Sequence, residues 1–174
     1  TTFVTEARRR VAGGSADGRR VFLANQAGKV FECDLATGSA KEILSTPAGS
    51  WVTVSPDGRL AAYVIKESVL AVVPTSGGEP RELLRVQEPE SLVRNVVLSW
   101  TLNGSALVVT KKLTSATRSL AGNGSGGEAG VRSELWLVPV SGGAPRRLDL
   151  DASSWDIVNP IGARFSPDGR YLAF

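Results

Sequence analysis

Ser55-Pro56-Asp57-Gly58 returns intact as Ser166-Pro167-Asp168-Gly169, and degraded copies stand at Ser15-Ala16-Asp17-Gly18 and Thr101-Leu102-Asn103-Gly104. A turn written four times, each time ahead of a short apolar run, marks a repeat protein. The tetrapeptide reads as a hairpin connection. Pro56 presets φ at the second position of a type I turn, Asp57 suits the third, and Gly58 takes the left-handed residue of the bulge.

Outward from each turn the residues read as strands. Stretches 51–54, 96–100 and 161–165 precede three of the turns and are rich in β-branched and aromatic residues, whereas Val11-Ala12-Gly13-Gly14 is a weak counterpart before the first. After the turns, 19–24, 60–65, 106–110 and 171–174 are nearly continuously apolar, as strands covered on both faces should be. A third strand at 30–35, 70–74 and 135–140 leads to a second turn signal at Thr37-Gly38, Gly77-Gly78 and Gly142-Gly143. Short strands at 41–44, 81–84 and 146–148 follow, and their Lys, Arg and Glu residues are what an outer edge needs to discourage pairing with another chain.

The turn glycines Gly18, Gly58, Gly104 and Gly169 stand 40, 46 and 65 residues apart. The first two intervals fit a four-stranded propeller blade of roughly 40 to 50 residues. The third is long because 115–131 holds a glycine-rich tract, Gly122-Asn123-Gly124-Ser125-Gly126-Gly127, expected to be a flexible insertion between the second and third strands of its blade. The expected fold is therefore all-β: β-propeller blades of four antiparallel strands at about 7–45, 50–85 and 94–149, then a half blade at 161–174. About three and a half blades fall short of the roughly four to eight of a closed ring, and the sequence holds no methionine, so a piece of a longer protein is expected. The alternative is self-association of two copies through their open blade edges into a ring.

Units reading "apolar strand, SPDG, apolar strand, apolar strand to GG, PRRL" resemble the TolB-like β-propeller repeats, also called WD40-like or PD40 repeats. The stretches FSPDGRYLAF at 165–174 and LWLVPVSGGAPRRL at 135–148 carry the likeness best, and it extends over nearly the whole chain. Such repeats occur in periplasmic TolB, in the propellers of prolyl oligopeptidase and tricorn-type peptidases, and in bacterial sensor proteins. The resemblance thus implies a noncatalytic module that binds a protein or peptide partner, and it favours a periplasmic or other extracytoplasmic setting over the cytoplasm. The alternative it implies is the substrate-gating propeller of a larger serine peptidase of the prolyl oligopeptidase or tricorn type, with the catalytic domain elsewhere.

Composition narrows the chemistry. The chain has no histidine, so no Ser-His-Asp or Cys-His group can be assembled from it, and with one cysteine a zinc site is not expected either. No catalytic constellation, cofactor or metal is expected. Cys33 lies in an alternating strand and reads as core filler. The net charge is +3, from 20 basic and 17 acidic residues that are mostly scattered. Arg8-Arg9-Arg10 is the basic cluster, readable as a solvated strand or as a contact for an acidic partner. Basic residues do not interleave with aromatics as in single-strand nucleic-acid binders, so no nucleic acid is expected, and no apolar stretch is long enough for membrane insertion as a helix.

Contact with a partner is expected on the connections between blades, where function collects on rigid scaffolds. The candidate contact residues are Glu88 and Glu90, in the polar connection 85–94, and Asp151, Trp155 and Asp156, where an aromatic and carboxylates coincide. Trp51, Trp100 and Trp136 fall within expected strands and read as packing between blades.

Overall fold

The computed structural model describes residues 9–92, 98–114 and 131–148, together with the strand residues 164–165 and 172–173. Every regular element among them is a β-strand. Four strands, β1 (Arg10–Gly14), β2 (Arg20–Ala24), β3 (Lys29–Asp34) and β4 (Ala40–Ser45), form the first antiparallel sheet in chain order. The second repeats that meander with β5 (Val52–Val54), β6 (Leu60–Ile65), β7 (Val69–Pro74) and β8 (Arg81–Arg85). The third contains β9 (Glu90–Leu92), β10 (Leu98–Trp100), β11 (Ala106–Thr114), β12 (Val131–Pro139) and β13 (Arg146–Arg147). A last pair joins β14 (Arg164–Phe165) to β15 (Leu172–Ala173). The expected insertion 115–131 lies outside the described residues, apart from Val131 at the start of β12.

The repeated tetrapeptide works through its polar side chains. Gly58 N–H donates to the Ser55 carbonyl at 2.8 Å to close the turn, and Gly58 has φ 76°. The Ser55 hydroxyl accepts from Leu60 N–H at 2.9 Å and donates to Asp57 Oδ1 at 2.6 Å, and that oxygen accepts from Arg59 N–H at 3.0 Å. Ser15, Asp17, Arg19 and Arg20 reproduce the same bonds. Thr101 and Asn103 do so as well, with the Asn103 side-chain oxygen standing in for the carboxylate. The turn therefore requires a hydroxyl followed two residues later by an oxygen acceptor, and proline is dispensable. The Ser55 hydroxyl, and with it the Arg59 N–H, hold the Asp57 carboxyl below its usual range, and the Ser15 hydroxyl does the same for Asp17.

Period-two alternation in β6 and β7 assigns each apolar side chain to one of two neighbours. Ala61, Tyr63, Ala71 and Val73 pack with Phe22, Ala24 and Val30 of the first sheet. Ala62, Val64, Leu70 and Val72 pack with Trp100, Leu107, Val109 and Val138 of the third. The second sheet is thus buried on both faces, which explains its unbroken apolar strands. The inner strands of adjacent sheets approach closely: a Cβ on Gly13 would sit 2.9 Å from the Val54 carbonyl oxygen, so the glycine that weakens β1 as a sequence signal is what lets it lie against β5. Turn to turn, Ala16 N–H donates to the Pro56 carbonyl at 2.9 Å, so these ends of the first two sheets share a rim. The outer strands β4 and β8 are mostly exposed and carry the Lys29–Glu42 and Arg85–Glu82 ion pairs.

Candidate partner-binding rim

Strand alternation sends the tetrapeptide turns to one rim and the β2–β3 and β6–β7 hairpins to the other. The connections 46–51 and 86–89 lie on this second rim, so each must pass a hairpin tip. Hydrogen bonds fasten them there. Thr46 N–H and its hydroxyl both donate to the Gly28 carbonyl, at 2.8 and 3.0 Å, and Gly49 N–H donates to the Gln26 carbonyl at 2.9 Å. One repeat later, Val86 N–H donates to the Ser68 carbonyl at 2.8 Å and Leu92 N–H to the Glu67 carbonyl at 2.6 Å. Lys66 and Glu67 turn the β6–β7 hairpin with φ of 47° and 57°, the two left-handed residues of a type I′ turn. These bonds satisfy backbone groups that a loose loop would leave to water, and they make the rim a fixed surface.

Of the residues nominated from sequence, Glu88 is exposed on the connection after β8. Glu90 is half-buried in β9, a strand inside the stretch 85–94 that was expected to be only a connection. Its Oε1 accepts from Lys111 Nζ at 2.7 Å, and Lys111 Nζ also lies 4.1 Å from the centroid of the Trp136 ring. Trp136 Nε1–H in turn donates to Glu134 at 3.1 Å. β9 adds to β11 beyond β10, pairing Glu90 with Leu113 and Leu92 with Lys111, so Glu90 braces the far end of a nine-residue strand. Asp151, Trp155 and Asp156 lie outside the described residues.

The tryptophans divide differently from the expectation. Trp100 is buried between the second and third sheets, and Trp136 packs at the border of that core. Trp51 precedes β5 instead of belonging to a strand, and 37% of its surface is exposed. Arg10, at the start of β1, lies over its ring at 4.2 Å and donates through Nη2 to the Ser50 carbonyl. Ser50 also lines a cavity of about 530 Å³ between Pro47–Ala48–Gly49 and Val64–Ile65–Lys66–Glu67. Ser50, which lines the cavity and accepts from Arg10, thus links the cavity to the guanidinium and the exposed indole on the hairpin rim. Sequence reading missed the group because a tryptophan directly before Val52-Thr53-Val54 looks like the first residue of a strand.

The sequence matches no protein-family model and no curated protein. Solved structures do share the architecture. The chain resembles the β-propeller domain of Cps50 (Swd1) from Myceliophteria thermophila at 15% identity and TM-score 0.58, over 94% of this chain and 48% of that one. It also resembles an oligogalacturonate lyase from Vibrio parahaemolyticus at 18% identity and TM-score 0.54, over 77% of this chain and 37% of the lyase. Identities this low establish the fold alone: the protein is a partial β-propeller. The chain spans less than half the length of either structure.

Proposed function

We propose that this chain is a noncatalytic β-propeller module that presents its hairpin rim to a protein or peptide partner, as its resemblance to TolB-like repeats implies. The observation that carries the reading is Trp51, a large aromatic exposed beside a cavity on a rim whose backbone is tied down. Interfaces concentrate their energy on such rigid aromatic anchors, which lose little conformational freedom on binding. The opposite rim exposes Leu35 and Leu102, but among the described residues it exposes no large aromatic. With no histidine the chain cannot assemble a Ser-His-Asp or Cys-His group, and among the described residues no helix is long and apolar enough to cross a membrane.

Selection of displayed random peptides on the purified chain tests the reading. Selected peptides are expected to bind with affinities that fall about tenfold or more in Trp51→Ala, since a central aromatic contact contributes upwards of roughly 1.4 kcal/mol. Failure to enrich any peptide, or binding indifferent to Trp51→Ala, contradicts the assignment. Hydrolysis of peptide esters by the same preparation contradicts the noncatalytic part.

A further inference from the structure

We propose that Arg10, lying on the Trp51 indole, recognises a carboxylate on the partner peptide, with the adjoining cavity receiving the neighbouring residue. The proposal rests on the scaffold reading and gives its site a ligand chemistry: an extended peptide bearing Asp or Glu.

Arg10 carries an unbalanced charge. Arg10 is half-buried, its Nη2 is committed to the Ser50 carbonyl, and its Nε is buried without a hydrogen-bond partner. Among the described residues Arg10 has no ion pair, whereas Arg20, Lys29, Arg85, Lys111 and Arg147 each have a glutamate within 4.0 Å; Arg9, over Phe31, shares the missing ion pair and the unpartnered buried Nε, but Arg10 is the one that lies on an exposed indole. A guanidinium stays charged when buried, so its lost hydration must be replaced by acceptors, and a carboxylate is the acceptor that also supplies the opposite charge. Burial pushes the Arg10 guanidinium below its usual value, the direction expected of a cation short of a counter-ion.

The third sheet shows the completed arrangement within the same chain. There a cation also lies on an indole, Lys111 over Trp136 at 4.1 Å, and a carboxylate completes the group, Glu90 at 2.7 Å. At Arg10 and Trp51 the cation and the indole are present and the chain supplies no carboxylate among the described residues. The cavity beside them is lined by one charged residue of each sign, Lys66 and Glu67, and Glu67 makes no ion pair with Arg10. The indole holds the guanidinium in one plane, and with Nη2 on Ser50 and Nε buried, Nη1 is left as the donor for a single charge-assisted contact.

The test uses two pools of fluorescein-labelled hexapeptides, one with a fixed central Glu and one with a fixed central Gln, the flanking positions randomised. By fluorescence anisotropy at low salt, the Glu pool should bind about tenfold or more tightly than the Gln pool, the range of a charge-assisted contact. That preference should vanish in Arg10→Gln and persist in Arg9→Gln, whose guanidinium lies instead over Phe31. If Arg10→Gln does not fold, competition on the unaltered chain decides: N-acetylglutamate must displace the bound pool better than N-acetylglutamine. Equal binding of the pools, a preference that survives Arg10→Gln, or equal competition overturns the carboxylate assignment and leaves the scaffold reading intact. Binding of neither pool overturns both.

Discussion

Gly28→Ala should destabilise the protein by about 3–4 kcal/mol, far more than an alanine at most glycines of a surface turn. Gly28 closes the β2–β3 hairpin at φ 84°, where a side chain is strained by roughly 1–2 kcal/mol. The larger part comes from what crosses the hairpin: an added Cβ would stand 2.1 Å from the Thr46 carbonyl oxygen and 3.1 Å from that of Pro47. The connection would have to lift away, taking with it both bonds from Thr46 to the Gly28 carbonyl, each contributing about 1 kcal/mol net. Gly18→Ala is the internal control. It has a similar φ of 69° but open space within 4 Å, so strain alone remains, about 1–2 kcal/mol. Urea unfolding of the two variants beside the parent measures the difference. Equal losses at the two positions would mean that the connection does not cross the hairpin as described.

Phe22→Ala should cost about 3–5 kcal/mol, the range for emptying a fully buried aromatic site. The Phe22 side chain is 0% exposed and joins the first sheet to Val54, Ala61 and Tyr63 of the second. Its ring also reaches under the next tetrapeptide turn, where a Cβ on Gly58 would meet Cζ at 3.0 Å. The cavity would therefore open at the junction of two sheets and loosen both. Val11, 65% exposed on the other face of the first sheet, provides the contrast: Val11→Ala should change stability by no more than about 0.5 kcal/mol. Since whole domains are stable by about 5–15 kcal/mol, the first substitution removes a large fraction of the total. Calorimetric or denaturant unfolding checks both. A small effect at Phe22 would show that the first two sheets do not share a core.

The fold was legible because the tetrapeptide and the double glycine recur in register, and because alternation in 60–65 and 69–74 had no free face to leave polar. The polar half of the turn was harder to read. Leu102-Asn103 looks like a loss of Pro-Asp, yet Asn103 retains the one oxygen the turn uses. β1 was faint because Gly13 serves a close backbone approach, which a propensity reading counts only as weakness. β9 was hidden for a different reason. Glu90-Ser91-Leu92 is too short and too polar to announce a strand, and its pairing depends on β11 running past β10, a tertiary fact. The rim site shows the same limit: Arg10 and Trp51 stand 41 residues apart in the chain, and only the packing of β1 against β5 brings them together.

In the propeller arrangement the second sheet lies between the first and the third. Nuclear Overhauser contacts from β6 test this most directly. Tyr63 and Ala61 should show contacts to Phe22 and Val30, while Ala62 and Val64 should show contacts to Leu107, Val109 and the Trp100 indole. Contacts from both sets to a single neighbouring sheet, or contacts from Phe22 directly to Leu107, would contradict the propeller arrangement and with it the shared rim.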